Sequence, residues 1–142
     1  MTNLNKKEIN HIKEFQESIT IKEIEGFGNI FINCSNIIPI KKLYNFYIEY
    51  LEKKLLESLE ISKKNNNSTY ICHINLKNIN IKNISYTFLK KANNKIKNNP
   101  LLENTLKEAT FYYKNKIAKV IFMFIYNLID DDTKKKYKLI YN

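Results

Sequence analysis

Residues 110–140 read TFYYKNKIAKVIFMFIYNLIDDDTKKKYKLI. The segment opens on an apolar strand, Glu108 to Tyr113. Asn115 is suited to cap a helix that begins near Lys116. That helix is apolar on nearly every side, with only Lys119 and Asn127 interrupting the run from Ile117 to Ile129. Asp130-Asp131-Asp132-Thr133 forms a polar knot, a lysine run follows, and Lys136 to Tyr141 reads as a second strand. A strand, a crossover helix and a strand make a βαβ unit, which predicts a parallel pair in one sheet.

The chain before it repeats that logic. Ile84, Phe88, Ala92 and Ile96 share one face of a helix over about 83–97, closed by Asn98-Asn99-Pro100 because proline disfavours helix in the residue before it. Residues 69–76 (TYICHINL) form a strand. Tyr70, Cys72 and Ile74 point one way, Ile71 and His73 the other, and the pattern predicts a central strand covered on both faces. Upstream, Pro39 marks the start of a helix over about 40–63. Its core stripe is Leu43, Tyr47, Leu51, Leu55 and Leu59, widened by Tyr44, Ile48 and Tyr50. Residues 18–34 read as a β-hairpin, with Ile19 and Ile21 and then Ile30, Ile32 and Cys34 alternating with polar residues, and with Gly26-Phe27-Gly28 supplying positive φ at the connection. The order is β-β-α-β-α-β-α-β. It predicts an α/β fold, a single mostly parallel sheet of about five strands with an N-terminal hairpin and crossover helices. Residues 1–17 read as a short helical arm and 18–142 as one domain.

The chemistry in the sequence is sparse. A chain of 142 residues with 44% hydrophobic and 13% aromatic residues suits one domain with a real core. Two Gly and two Pro leave no room for a glycine-rich phosphate cradle. Cys34 and Cys72, both placed in strands, form no CxxC motif and read as small buried apolar residues. Cys72 and His73 are strand neighbours facing opposite ways, so they make no catalytic pair. No serine lies in a nucleophile-elbow context. The three consecutive aspartates lack the spacing of a calcium loop and read as a turn and cap. Neither a metal, a cofactor nor an enzymatic activity is expected. The opening residues read as polar and helical rather than as a secretory leader and no apolar run is long enough to span a bilayer, so a cytoplasmic protein that associates peripherally with a membrane is the expectation.

The formal net charge is +10, and all 24 basic residues are lysines. Without arginine the fork geometry that reads bases is missing, so sequence-specific nucleic-acid binding is not expected. Diffuse attraction to an anionic surface is, although lysine-rich composition also follows from AT-rich coding.

Two segments resemble the CRAL-TRIO lipid-binding domain. TYICHINLKNINIKNISYTFLKKA (69–91 with Ala92) is similar to that domain's strand, D-L-x-G turn and helix. TLKEATFYYKNKIAKVIFMFIYNLIDDDTKKKYKLI (105–140) is similar to its strand, gate helix, L-D-x-x-T turn, lysine and final strand. The resemblance implies an apolar gate helix over 116–129 covering a phospholipid or other hydrophobic ligand, with Ile117, Ile121, Phe124, Ile125 and Leu128 facing chains or core and Val120 and Phe122 left for the membrane. It implies headgroup contacts, to a phosphoinositide or other anionic lipid, at Asn80, at Glu103 and Asn104, and at Lys136. Asn75 and Asn78 depart from the family's Asp and Gly, and two prolines of its motifs are absent. A second expectation is therefore a non-catalytic interaction scaffold, like the BCH relatives of that family or a viral structural or accessory protein, with a homodimer or protein partner.

Overall fold

The computed structural model describes residues 3–142. In chain order its elements are α1 (Lys6–Glu17), β1 (Ile19–Ile24), β2 (Phe27–Asn33), α2 (Tyr44–Lys64), β3 (Tyr70–Asn75), α3 (Tyr86–Lys97), β4 (Leu106–Tyr113), α4 (Lys116–Tyr126), α5 (Asp131–Lys134) and β5 (Tyr137–Tyr141). The five strands form one sheet in sequence order, β1-β2-β3-β4-β5. The β1–β2 hairpin is antiparallel, and the other pairs are parallel. The expected α/β architecture is thus observed.

Strand order in a line has a consequence for layering. Each crossover from β2 to β5 steps the same way across the sheet. Right-handed connections then place α2, α3 and α4 on one face. That covered face carries Ile19, Ile30, Cys72, Ala109 and Phe111 in the hydrophobic core, with Ile32, Ile74 and Leu139 half-buried against it. The opposite face carries Phe27, Phe31, Ile71, His73 and Tyr112, none of which belongs to that core. The expectation of a β3 covered on both faces is corrected here. Ile71 and His73 project from the open face, and a run of apolar residues on both sides of a strand does not require helices on both sides.

Local signals explain most element ends. Asn5 and Glu8 form a capping box at α1, with bonds of 2.8 and 3.0 Å. The arm packs: Phe15 stacks on Tyr47 with centroids 4.3 Å apart, and Lys42 bridges Glu8 at 3.1 Å. The hairpin turns at Glu25 (φ 52°) and Gly26 (φ 85°), the two-residue connection with φ positive at both positions. Gly28 plays a different part from the one expected. It lies in β2, and a Cβ there would sit 1.8 Å from the Ser58 carbonyl oxygen of α2. Its N–H donates to Ser62 Oγ at 2.7 Å. Glycine and two fully buried serines thus let α2 press directly on the strand. α2 also starts later than Pro39 suggests, after extended residues and a 3-10 turn at Lys41–Leu43. Cys34 falls just beyond β2, in a 3-10 turn.

Candidate functional site: an apolar cavity under α3 and α4

The core is not completely filled. A cavity of about 140 Å³ lies between the covered face of the sheet and the helices. Its floor is Ile32 and Ile74, near the C-terminal ends of their strands, with Cys34, Leu76 and Ile79 just beyond. Phe88, Leu89 and Ala92 of α3, Ile121 and Ile125 of α4, and Leu51 of α2 enclose it. Ala92 and Phe88 reach it because the i, i+4 spacing keeps them on one face of α3.

Only two lining residues other than Cys34 are polar, Asn83 and Ser85. Asn83 donates through Nδ2 to the Ile37 carbonyl at 2.8 Å and accepts the Asn80 N–H at 3.1 Å. Ser85 caps α3 by accepting the Phe88 N–H at 3.2 Å and lies 2.6 Å from the Tyr44 hydroxyl. Burial pushes the Cys34 thiol up to about 12, so it is neutral at physiological pH. The Cys72 thiol is likewise pushed up to about 12 by burial.

The sequence-predicted residues divide. Ile121 and Ile125 line the cavity. Ile117 is half-buried against the core. Phe124 meets Tyr86 across the α3–α4 seam, with ring centroids 4.5 Å apart, and the Leu128 carbonyl accepts from Asn93 Nδ2 at 3.4 Å. Phe122 is corrected: it is buried against Phe111 and Tyr126, while Met123 is exposed beside Val120. A helix turning 100° per residue cannot present both 120 and 122 on one side.

The polar candidates are not gathered into one place. Asn80 follows β3, at the C-terminal edge of the parallel strands, where its side chain caps a 3-10 turn by accepting the Lys82 N–H. Glu103 and Asn104 precede β4 and Lys136 precedes β5, at the other edge. Five to eight strand residues separate the edges, about 20 Å at 3.3 Å per residue. Asn104 takes a left-handed turn conformation (φ 58°). Asp130 caps α5 by accepting the Thr133 N–H at 2.7 Å. That bond holds its carboxyl below the usual range, with smaller help from the charges of Lys97 and Lys136.

The outer surface of α3 and α4 has one sign. Residues 77–102 and 109–129 contain no carboxylate. Lys82, Lys90, Lys91, Lys95, Lys97, Lys116 and Lys119 are exposed there, and none forms an ion pair among the described residues. Ile81 just before α3, Tyr86 of α3, and Val120 and Met123 of α4 are exposed apolar residues in the same segments. No helix among the described residues is long and apolar enough to cross a membrane. What sequence reasoning missed is the cavity's polar corner, Asn83 and Ser85. The Ser85 cap before Phe88 was a legible signal for it.

No protein-family model matches the sequence, and no curated protein is similar to it. The fold is similar to the crystal structure of Sfh5, a Sec14-like CRAL-TRIO protein, with a TM-score of 0.62 and 12% sequence identity. The match covers 89% of this chain and 48% of that one, so the chain spans about half the length of Sfh5. At this identity the likeness concerns the fold, which is CRAL-TRIO-like.

Proposed function

We propose that the chain is a non-catalytic module that holds a hydrophobic ligand in the cavity beneath α4 and works against an anionic lipid surface. The cavity carries this reading. Its lining is almost wholly apolar, so a hydrophobe that enters it leaves water behind. Ile121 and Ile125 would contact that ligand, and the Tyr86–Phe124 pair would seal the seam above it. The lysines of α3 and α4, none of them in an ion pair among the described residues, and the exposed Val120 and Met123 of α4 match a negatively charged interface, where apolar side chains enter the headgroup boundary and ammonium groups meet anionic lipid. The CRAL-TRIO-like fold supports the same class of function.

Native mass spectrometry of the purified chain should show a retained hydrophobe. Flotation should show binding to vesicles containing phosphatidylserine, weakening with salt. The double variant Val120→Asp, Met123→Asp should lose vesicle binding and keep its fold, since both positions are about half exposed. Absence of both a retained hydrophobe and vesicle binding would sink the proposal. A second reading, a protein-interaction scaffold, is favoured by one observation, the helix-free face of the sheet with its half-buried Phe31 and Tyr112. It predicts a concentration-dependent dimer that Tyr112→Asp dissolves.

A further inference from the structure

We propose that the cavity selects a compact, uncharged hydrophobe bearing one hydrogen-bond acceptor, such as a ketone or ester carbonyl, and that Ser85 is its donor. The inference rests on the ligand-binding reading above and names the ligand class.

Three observations carry it. First, a cavity of about 140 Å³ is smaller than the 300–1,000 Å³ of sites that take drug-sized molecules. An apolar space of this size takes ligands the size of benzene. Second, no lining side chain is charged, and the Cys34 thiol stays protonated. A carboxylate or phosphate placed there would lose its water with no cation to replace it. Third, the hydroxyl protons do not balance. Tyr44 and Ser85 bring two O–H protons, and the 2.6 Å contact between them uses one. Ser85 also accepts the Phe88 N–H. Either hydroxyl can donate across that contact; a ligand oxygen beside Ser85 selects the arrangement in which Tyr44 donates, both Ser85 lone pairs are filled and the Ser85 proton is free. Ser85 lines the cavity, so that proton is available to a ligand oxygen. Asn83, the other polar lining group, is engaged at both ends of its carboxamide.

The test is an amide-resolved NMR titration of the whole chain with cyclohexanone, with methylcyclohexane as a ring lacking an acceptor, and with hexanoate. Both rings should bind, and hexanoate should not. Ser85→Gly is the informative variant, because glycine is tolerated at a helix N-cap. It should weaken cyclohexanone about five-fold, the worth of one hydrogen bond, and leave methylcyclohexane unchanged. Tyr44→Phe keeps the Ser85 proton and should hold cyclohexanone binding within about two-fold, since the donor remains. Ala92→Leu should fill the space and block both rings. Hexanoate binding as tightly as cyclohexanone, or equal weakening of both rings by Ser85→Gly, overturns the ligand class while leaving the cavity as a binding site. A loss in Tyr44→Phe as large as in Ser85→Gly overturns the assignment of the donor. If neither ring binds, the ligand-binding reading itself fails.

Discussion

The two faces of the sheet are made by the same five strands and have opposite characters. On the covered face, small and branched side chains interlock with helices: Ala109 and Cys72 leave room, Phe111 and Ile30 fill it, and Gly28 vanishes beneath α2. On the open face, neighbouring strands satisfy one another. Phe31 and His73 stack with centroids 4.4 Å apart, Tyr112 continues the row at 6.3 Å from His73, and Lys22 lies over the outer ring of Phe31 at 5.8 Å. His73 Nε2 lies 2.8 Å from Asn29 Oδ1 and its Nδ1 3.3 Å from the Tyr112 hydroxyl. One face is stabilised by exclusion of water in three dimensions, the other by a two-dimensional row. The first should be far less tolerant of change.

The sharpest test uses adjacent residues. Phe111→Ala empties a fully buried site and should cost about 4 kcal/mol in denaturant unfolding. Tyr112→Ala, one residue on and on the other face, should cost about 1 kcal/mol, the scale of a lost cross-strand pair. Equal losses would erase the distinction between faces. Gly28→Ala comes next. Its methyl would meet backbone at the Ser58 carbonyl, which cannot swing away as a side chain could, so a loss of about 3 kcal/mol is expected. Ser62→Ala should cost about 2 kcal/mol by leaving the buried Gly28 N–H without its acceptor. A neutral Ser62→Ala would mean that α2 can move off β2.

The smallest effect concerns pH on the open face. Burial lowers the His73 pKa, and the Glu108 charge only partly opposes it. The unfolded chain, with an ordinary imidazole near 6.5, therefore binds the proton more readily than the folded one. Stability from this site is full above about 6.5 and is lost as pH falls through the lower folded value. His73→Gln should flatten the unfolding midpoint over that window. The carboxyls of Glu8 and Asp130, both held low by backbone N–H donors, act at more acidic pH and leave the window clear.

Much of this architecture is legible in the residues. Periodicity places the five strands and helices α1 to α4 to within a few residues, because the apolar stripe of each element must face one core. Caps mark several ends: Asn115 accepts the Ala118 N–H at 2.8 Å, and Asp130 turns the aspartate run into a short helix. The gate-like stretch 116–129 is the last crossover, but its helix stops at Tyr126, short of the expected Ile129, and its two sides are not placed correctly. An almost uniformly apolar helix has a weak pattern, so Phe122 cannot be told from Val120 without its neighbour Phe111. The same holds for Gly28, whose role is set by a helix thirty residues away.

By itself the sequence determines element order, the parallel crossovers, the surplus of lysine and the absence of arginine, because these rest on local spacing and on composition. Only the tertiary structure decides that all three crossover helices share one face, that the other face stays open, and that α3, α4 and the sheet leave an unfilled apolar space with Ser85 at its wall. A void is a property of how side chains from distant elements fail to meet. No local pattern records it, since each lining residue alone looks like ordinary core.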